Sequence, residues 1–295
     1  MAIRDDSSRG LLLVAGATFF WSLSGVFARW LPQVDPWTFN ATRGLGMGIA
    51  LLLWMAWKYR LGAIALFRQS DPVALLISGG FFAAGSSLYI LALQLSSVAA
   101  ASCIGATSGI FAAILARFWL GERTPLVFYM AVVMAIVGVV LIAFGEADTR
   151  TVGSLGGTAV AVAYAMCFAG QSVALRRYSA LRMEPAMVLG GLGVYVLVRL
   201  TIGLEPLDTA PMMILLLMGV VQLAIPMVLY MRGARHVAAV QMVLITMADV
   251  VLNPLWVWMV HGEVPARSVF WGGAVIMLAI GLTAWPSLMA ARRKR

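Results

Sequence analysis

The chain has 295 residues, of which 62% are hydrophobic and only 11% charged, with a formal net charge of +9. An ordinary soluble domain carries about 25% charged residues to clothe its surface, so a water-soluble enzyme or binding module is excluded for most of this length. The basic residues stand in twos to fours between apolar runs and form no single patch, which argues against a nucleic-acid partner and for the loops of a membrane protein in a lipid bilayer.

Crossing ~30 Å of hydrocarbon at 1.5 Å per residue takes roughly 20 residues. Cutting the chain where charge, proline or turn residues interrupt the apolar runs predicts an all-α membrane protein with ten transmembrane helices. Their spans are residues 10–30, 36–57, 72–94, 98–120, 125–145, 155–175, 185–203, 210–231, 237–260 and 268–288. The first run, behind Arg4 and Arg9, lacks a clear small-residue cleavage site and reads as a retained helix. Strands of a β-barrel are half as long and alternate strictly, which these runs do not. Cys103 and Cys167 each lie inside an apolar run, so no disulfide framework is implied.

Lys and Arg set the orientation. With the N-terminus cytoplasmic, sixteen fall on that side, including Lys58, Arg60, Arg176, Arg177, Arg182, Arg232 and the closing Arg292 to Arg295. Four (Arg29, Arg150, Arg199 and Arg267) fall on the other, and Arg43 lies within a span. That bias predicts a multi-pass inner-membrane protein with both termini cytoplasmic.

The chain also repeats itself. Gly121-Glu122 closes the fourth span and Gly262-Glu263 the ninth, 141 residues later; Phe128 to Gly138 matches Trp271 to Gly281 at 143, and Asp35-Pro36 matches Glu184-Pro185 at 149. Two copies of an odd number of spans must enter the membrane from opposite sides, so residues 1–147 and 148–295 are expected to be inverted five-helix repeats around a central cavity. Such halves can open a shared site to either side in turn.

The Gly-Glu followed by a glycine-punctuated helix in each half resembles the drug/metabolite transporter superfamily, specifically its EamA-type exporters. Leu120-Gly121-Glu122-Arg123-Thr124-Pro125 and the stretch from Asp249 through Asn253-Pro254 to Trp258 stand where that family has its most recognisable segments. The chain differs from the family pattern in having Asp249-Val250 where Glu-Pro is common and Gly109 where a proline is common. Among members it is most similar to amino-acid exporters of the YddG type, which implies aromatic and other neutral amino acids as cargo.

Charged residues inside a span are costly and are usually functional or paired. Asp249 sits near the middle of the ninth span and reads either as a contact for a substrate ammonium or a proton-coupling group, or as an acid held by Asn253 or Thr246. Arg43 lies two turns into its span, where snorkelling to the headgroups or pairing with Asp35 is the favoured reading over a carboxylate clamp. In the small-residue run from Val98 to Gly109, Ser102 and Thr107 offer hydrogen bonds, while Gly44/Gly48 and Gly153/Gly157 read as packing pairs. The cavity lining is completed by Phe20, Trp21, Phe82, Ser86, Tyr89, Tyr164, Phe168, Gln222, Tyr230, Gln241 and Asn253, an apolar set with a few polar anchors. Glu122 and Glu263, at the span ends, read as gates or, the favoured reading, as N-terminal dipole partners of the helices that follow them.

These features point to a secondary transporter that exports a small neutral amino-acid-type solute by alternating access. The sequence holds no phosphate-binding loop, metal-ligand motif or nucleophile elbow, so no cofactor is expected and an intramembrane lipid-modifying enzyme ranks below a multidrug or organic-cation efflux transporter as the alternative. The oligomeric state, monomer included, is open.

Overall fold

The computed structural model describes residues 3–60, 62–95, 98–146 and 155–292, and every element among them is helical. Among the described residues nine helices are long and apolar enough to cross a bilayer: α1 (Ser7–Trp30), α3 (Pro72–Leu95), α4 (Ala101–Leu120), α5 (Leu126–Ala143), α6 (Leu155–Arg177), α7 (Glu184–Thr201), α8 (Thr209–Gly233), α9 (Ala239–His261) and α10 (Arg267–Trp285). The tenth is α2, Pro36–Tyr59, whose polar Asn40 and Arg43 dilute its apolarity; a short helix, Gly62–Gln69, leaves it at 112°. At 1.5 Å per residue the 24 residues of α2 reach about 36 Å, enough to cross. The molecule is a multi-pass membrane protein, and Trp57, Phe118, Leu200 and Trp271 turn outward with the rest of a broad apolar exterior.

Helix pairing positions the interior. α2 packs along α7, α5 along α10, α3 along α6, and α1 along the last part of α8. The first and second of these pairs meet glycine to glycine: a Cβ on Gly191 would meet Gly44 O at 2.7 Å, and one on Gly138 would meet Gly272 O at 2.6 Å. Gly48 likewise faces Leu192, while Gly153 of the other predicted packing pair lies outside the described residues. Close backbone approach of this kind replaces the hydrophobic effect as the main force between helices in lipid. α5 and α10 run antiparallel, since Ser268 Oγ also donates to Ile142 O at 3.4 Å.

Three of the described spans are broken within their length. In α1 the helix pauses at Ser22 and Leu23, where Ser22 Oγ donates back to Phe19 O at 2.7 Å. In α4 the helix stops at Thr107, whose hydroxyl donates back to Ile104 O at 2.6 Å; in α9 it stops at Met247 and Ala248, just after Thr246 donates to Val243 O at 2.6 Å. Threonine back-bonding of this sort competes with the helical ladder and bends it. α4 and α9 both end at a glycine in the left-handed region, Gly121 at φ 69° and Gly262 at φ 75°, where a side chain would strain the backbone. α8 also carries a π-helical turn, Gly219–Ala224, immediately ahead of Pro226; the widened turn accommodates a ring that would clash with the carbonyl of Gln222 in a regular helix.

Hydrogen bonds sort the helix ends into two faces. On one, Arg176 of α6 meets Glu122 after α4 and the Ala234 and Arg235 carbonyls after α8, and Tyr59 of α2 meets Glu184 of α7. On the other, Arg29 of α1 pairs with Glu263 after α9, Trp37 of α2 donates to Gln94 of α3, and Glu205 N donates to Thr38 of α2. Glu122 and Glu263, read from the sequence as helix-dipole partners, are each held by an arginine.

Candidate functional site: a cavity at the two broken helices

A cavity of about 270 Å³ lies where the breaks of α4 and α9 face each other, walled by α1, α2, α3, α6 and α8. Nine of the residues expected from sequence line it: Trp21, Phe82, Ser86, Tyr89, Ser102, Tyr164, Phe168, Gln222 and Asp249. Its aromatic wall is continuous, with Tyr89 and Tyr164 centroids 5.1 Å apart and Tyr164 and Phe168 6.4 Å apart.

The other five expected residues are engaged elsewhere. Tyr230 is buried behind the wall, its ring against Trp21 and its hydroxyl 2.8 Å from Ser172 Oγ. Gln241 donates to Thr283 O at 3.0 Å, and Thr107 spends its hydroxyl on Ile104. Asn253 holds α1 to α9, donating to Ser24 Oγ at 2.9 Å and accepting from Gly25 N at 3.2 Å. Phe20 packs edge-on against Phe19.

Arg43 corrects the sequence reading most. It neither snorkels nor meets Asp35, which instead caps α2 by accepting from Thr38 N at 2.8 Å. The guanidinium turns into the cavity, donating to Gln222 Oε1 at 3.1 Å and to Asn40 Oδ1 at 2.8 Å. Asn40 Oδ1 also accepts from Ser86 Oγ at 2.7 Å, and Gln222 Nε2 donates to Trp21 O at 3.2 Å. Four helices thus hold one cation, while the guanidinium Nε, buried, has no partner.

Asp249 opens the second half of α9, on the first turn of the helix after the break, where backbone N–H groups favour a negative charge. Neither partner suggested by the sequence holds it: Thr246 bonds Val243 and Asn253 bonds α1, and the buried Oδ1 has no partner. Two residues that line the same cavity, Arg43 and Asp249, therefore each carry a buried polar atom without a partner. Each such group is costly unless something else completes it.

Sequence reasoning also passed over Ser24, Ser108, Gln171, Met227 and Met247, all of which line the cavity. Ser108 was within reach, because subtracting the 141-residue repeat from Asp249 lands on it. Cys103 and Cys167 are free thiols.

The comparisons with known proteins bear on the same helices. Residues 8–144 match the model of the EamA-like transporter family. This EamA-like segment spans α1 to α5. Two curated relatives, each named pseudopaline exporter CntI and drawn from Pseudomonas aeruginosa strains UCBPP-PA14 and PAO1, are 27% identical over 287 residues, 94% of this chain and 96% of theirs. A solved crystal structure superposes with a TM-score of 0.80 at 19% identity, covering 97% of this chain and 98% of that one, which is a likeness of fold.

Proposed function

We propose that the protein is a secondary transporter that exports small neutral amino acids with hydrophobic or aromatic side chains by alternating access. The observation that carries the reading is the pair of incomplete charged groups in one cavity. Arg43 suits a carboxylate through its paired donors, Asp249 suits an ammonium, and the Tyr89, Tyr164 and Phe168 wall suits an apolar side chain. A zwitterion satisfies both charges at once, and it does so without chemistry on the solute.

Alternation draws support from the packing. Adding five to both helix numbers turns the α3/α6 contact into α8/α1, and the α2/α7 and α5/α10 contacts into themselves. The same shift turns the Arg176–Glu122 pair on one face into the Arg29–Glu263 pair on the other. In this reading residues 1–147 and 148–295 are inverted repeats, both termini are cytoplasmic in the inner membrane, and Arg176, fixed also to the ends of α8, holds the cytoplasmic side shut. Protonation of Asp249 from the open side competes with the solute's ammonium, so acid on that side promotes release.

A second reading, favoured by the likeness over 94% of the chain, is export of pseudopaline. The test is counterflow in proteoliposomes of labelled phenylalanine against phenylalanine, tryptophan, threonine, methionine, pseudopaline and a cationic dye. Exchange with the amino acids supports the zwitterion reading, and a phenylalanine analogue lacking its carboxylate is expected to exchange no faster in the wild type than in Arg43→Met. Absence of phenylalanine exchange, alongside protein-dependent uptake of pseudopaline or the dye measured directly in the same vesicles, overturns it.

A further inference from the structure

On the face that holds Arg176, a cluster of cations lies outside the transport cavity. Lys58 Nζ stands 4.4 Å from the centroid of the Trp54 ring and 4.9 Å from that of Tyr59. The guanidinium of Arg182 lies over the same Tyr59 ring at 4.6 Å, and that of Arg232 over Trp54 at 5.9 Å. Two aromatic rings at the end of α2 thus gather three cations, from α2, from the segment just ahead of α7 and from the end of α8. Among the described residues none of the three is in an ion pair. Glu184 is the carboxylate beside them, and its Oε1 already accepts from Tyr59 OH at 3.2 Å.

Like charges drawn onto shared rings repel, and ring stacking offsets only part of that repulsion. The arrangement is complete when an anion lies among the cations. The neighbouring surface says which kind of anion. One turn back on α2, Leu53 is 66% and Trp57 79% exposed, so the cations border an apolar strip at the level where a span ends. A phosphate attached to acyl chains fits both features, because the headgroup meets the cations while the chains lie along Leu53 and Trp57. A free phosphate would use the cations alone.

We infer that Lys58, Arg182 and Arg232, ordered by Trp54 and Tyr59, form a binding site for the phosphate of one anionic phospholipid. The site is independent of the transport cavity and stands whatever the cargo.

The experiment is native mass spectrometry of the full chain in detergent, titrated with phosphatidylglycerol, with phosphatidylcholine, or with inorganic phosphate. Phosphatidylglycerol is expected to remain bound where phosphatidylcholine is stripped. Arg182→Gln and Arg232→Gln are each expected to weaken retention about fivefold, the ~1 kcal/mol that one cation near an anionic leaflet contributes. Arg182→Lys is expected to retain most of the binding, and Arg267→Gln, on the opposite face, all of it. Monodisperse elution of each variant from size exclusion separates loss of lipid from loss of fold. Equal retention of phosphatidylcholine, unchanged retention in the two glutamine variants, or inorganic phosphate displacing the lipid at equal concentration would each overturn the inference.

Discussion

In both α4 and α9 a threonine hydroxyl turns back onto a carbonyl three residues earlier, the helix breaks at mid-span, and it ends at a left-handed glycine followed by an arginine-held glutamate. Where the second half of each helix begins, 141 residues apart, α4 has Ser108 and α9 has Asp249. Ahead of the breaks the surroundings diverge. Ser102 faces the cavity, whereas its counterpart Val243 is wholly buried. The same contrast holds for α2 and α7, where the 149-residue offset sets Arg43 against Leu192. The break that ends at a left-handed glycine occurs in both α4 and α9 and the charge in only one of them, the division that the proposed transport cycle calls for between a repeated scaffold that moves and unmatched residues that recognise.

The sharpest way to break this comparison is at its two break points. Asp249→Asn is expected to slow amino-acid counterflow about 10- to 100-fold, the loss of a charged hydrogen bond, while Ser108→Ala costs about fivefold or less. Asp249→Asn should also abolish the dependence of efflux on a pH gradient, measured with a dye-reported gradient across proteoliposomes. Equal effects at both positions would remove the asymmetry. Next in size, Arg43→Met leaves Asn40 and Gln222 without their shared donor inside a span, and a loss of roughly 3 kcal/mol is expected in thermal unfolding followed by tryptophan fluorescence.

Smaller effects sharpen the comparison. Gly121→Ala and Gly262→Ala should destabilise alike, by about 1 kcal/mol each, because both place a Cβ at positive φ with open space around it. The glutamates should differ. Glu263→Gln breaks a half-exposed pair and is expected to change the unfolding midpoint by no more than ~1 kcal/mol. Glu122→Gln, on the less exposed pair, is expected to cost more than that.

Much of this architecture was legible in the chain because hydrocarbon demands long apolar runs and loops collect charge. The helix breaks were not. Thr107 stands in a run of small residues and Thr246 close to Asp249, and whether a threonine bonds its own helix or a neighbour depends on a rotamer that composition does not record. The lining was legible in its residue types and less so in its direction. Gln241 and Asn253 are as polar as Gln222, yet the first two bind neighbouring helices and only the last meets the cavity. Arg43 was misplaced because Asp35 looked like a nearby partner, although an Asp ahead of Pro36 is also a ready helix cap, and that is the role it takes.

Alternating access is tested most directly at one pair of equivalent positions. Cys103 in α4 is partly exposed, and its counterpart 141 residues on, Leu244 in α9, is wholly buried. In a Cys167→Ser background, the thiol at 103 is compared with the thiol introduced by Leu244→Cys in a second protein that also carries Cys103→Ser. Labelling by a small thiosulfonate reagent is followed with and without saturating phenylalanine during turnover. The expected result is fast labelling at 103 and slow labelling at 244 at rest, with turnover lowering the first rate and raising the second. Rates that rise or fall together, or a position 244 that stays unlabelled throughout transport, would contradict the exchange of roles between the two halves.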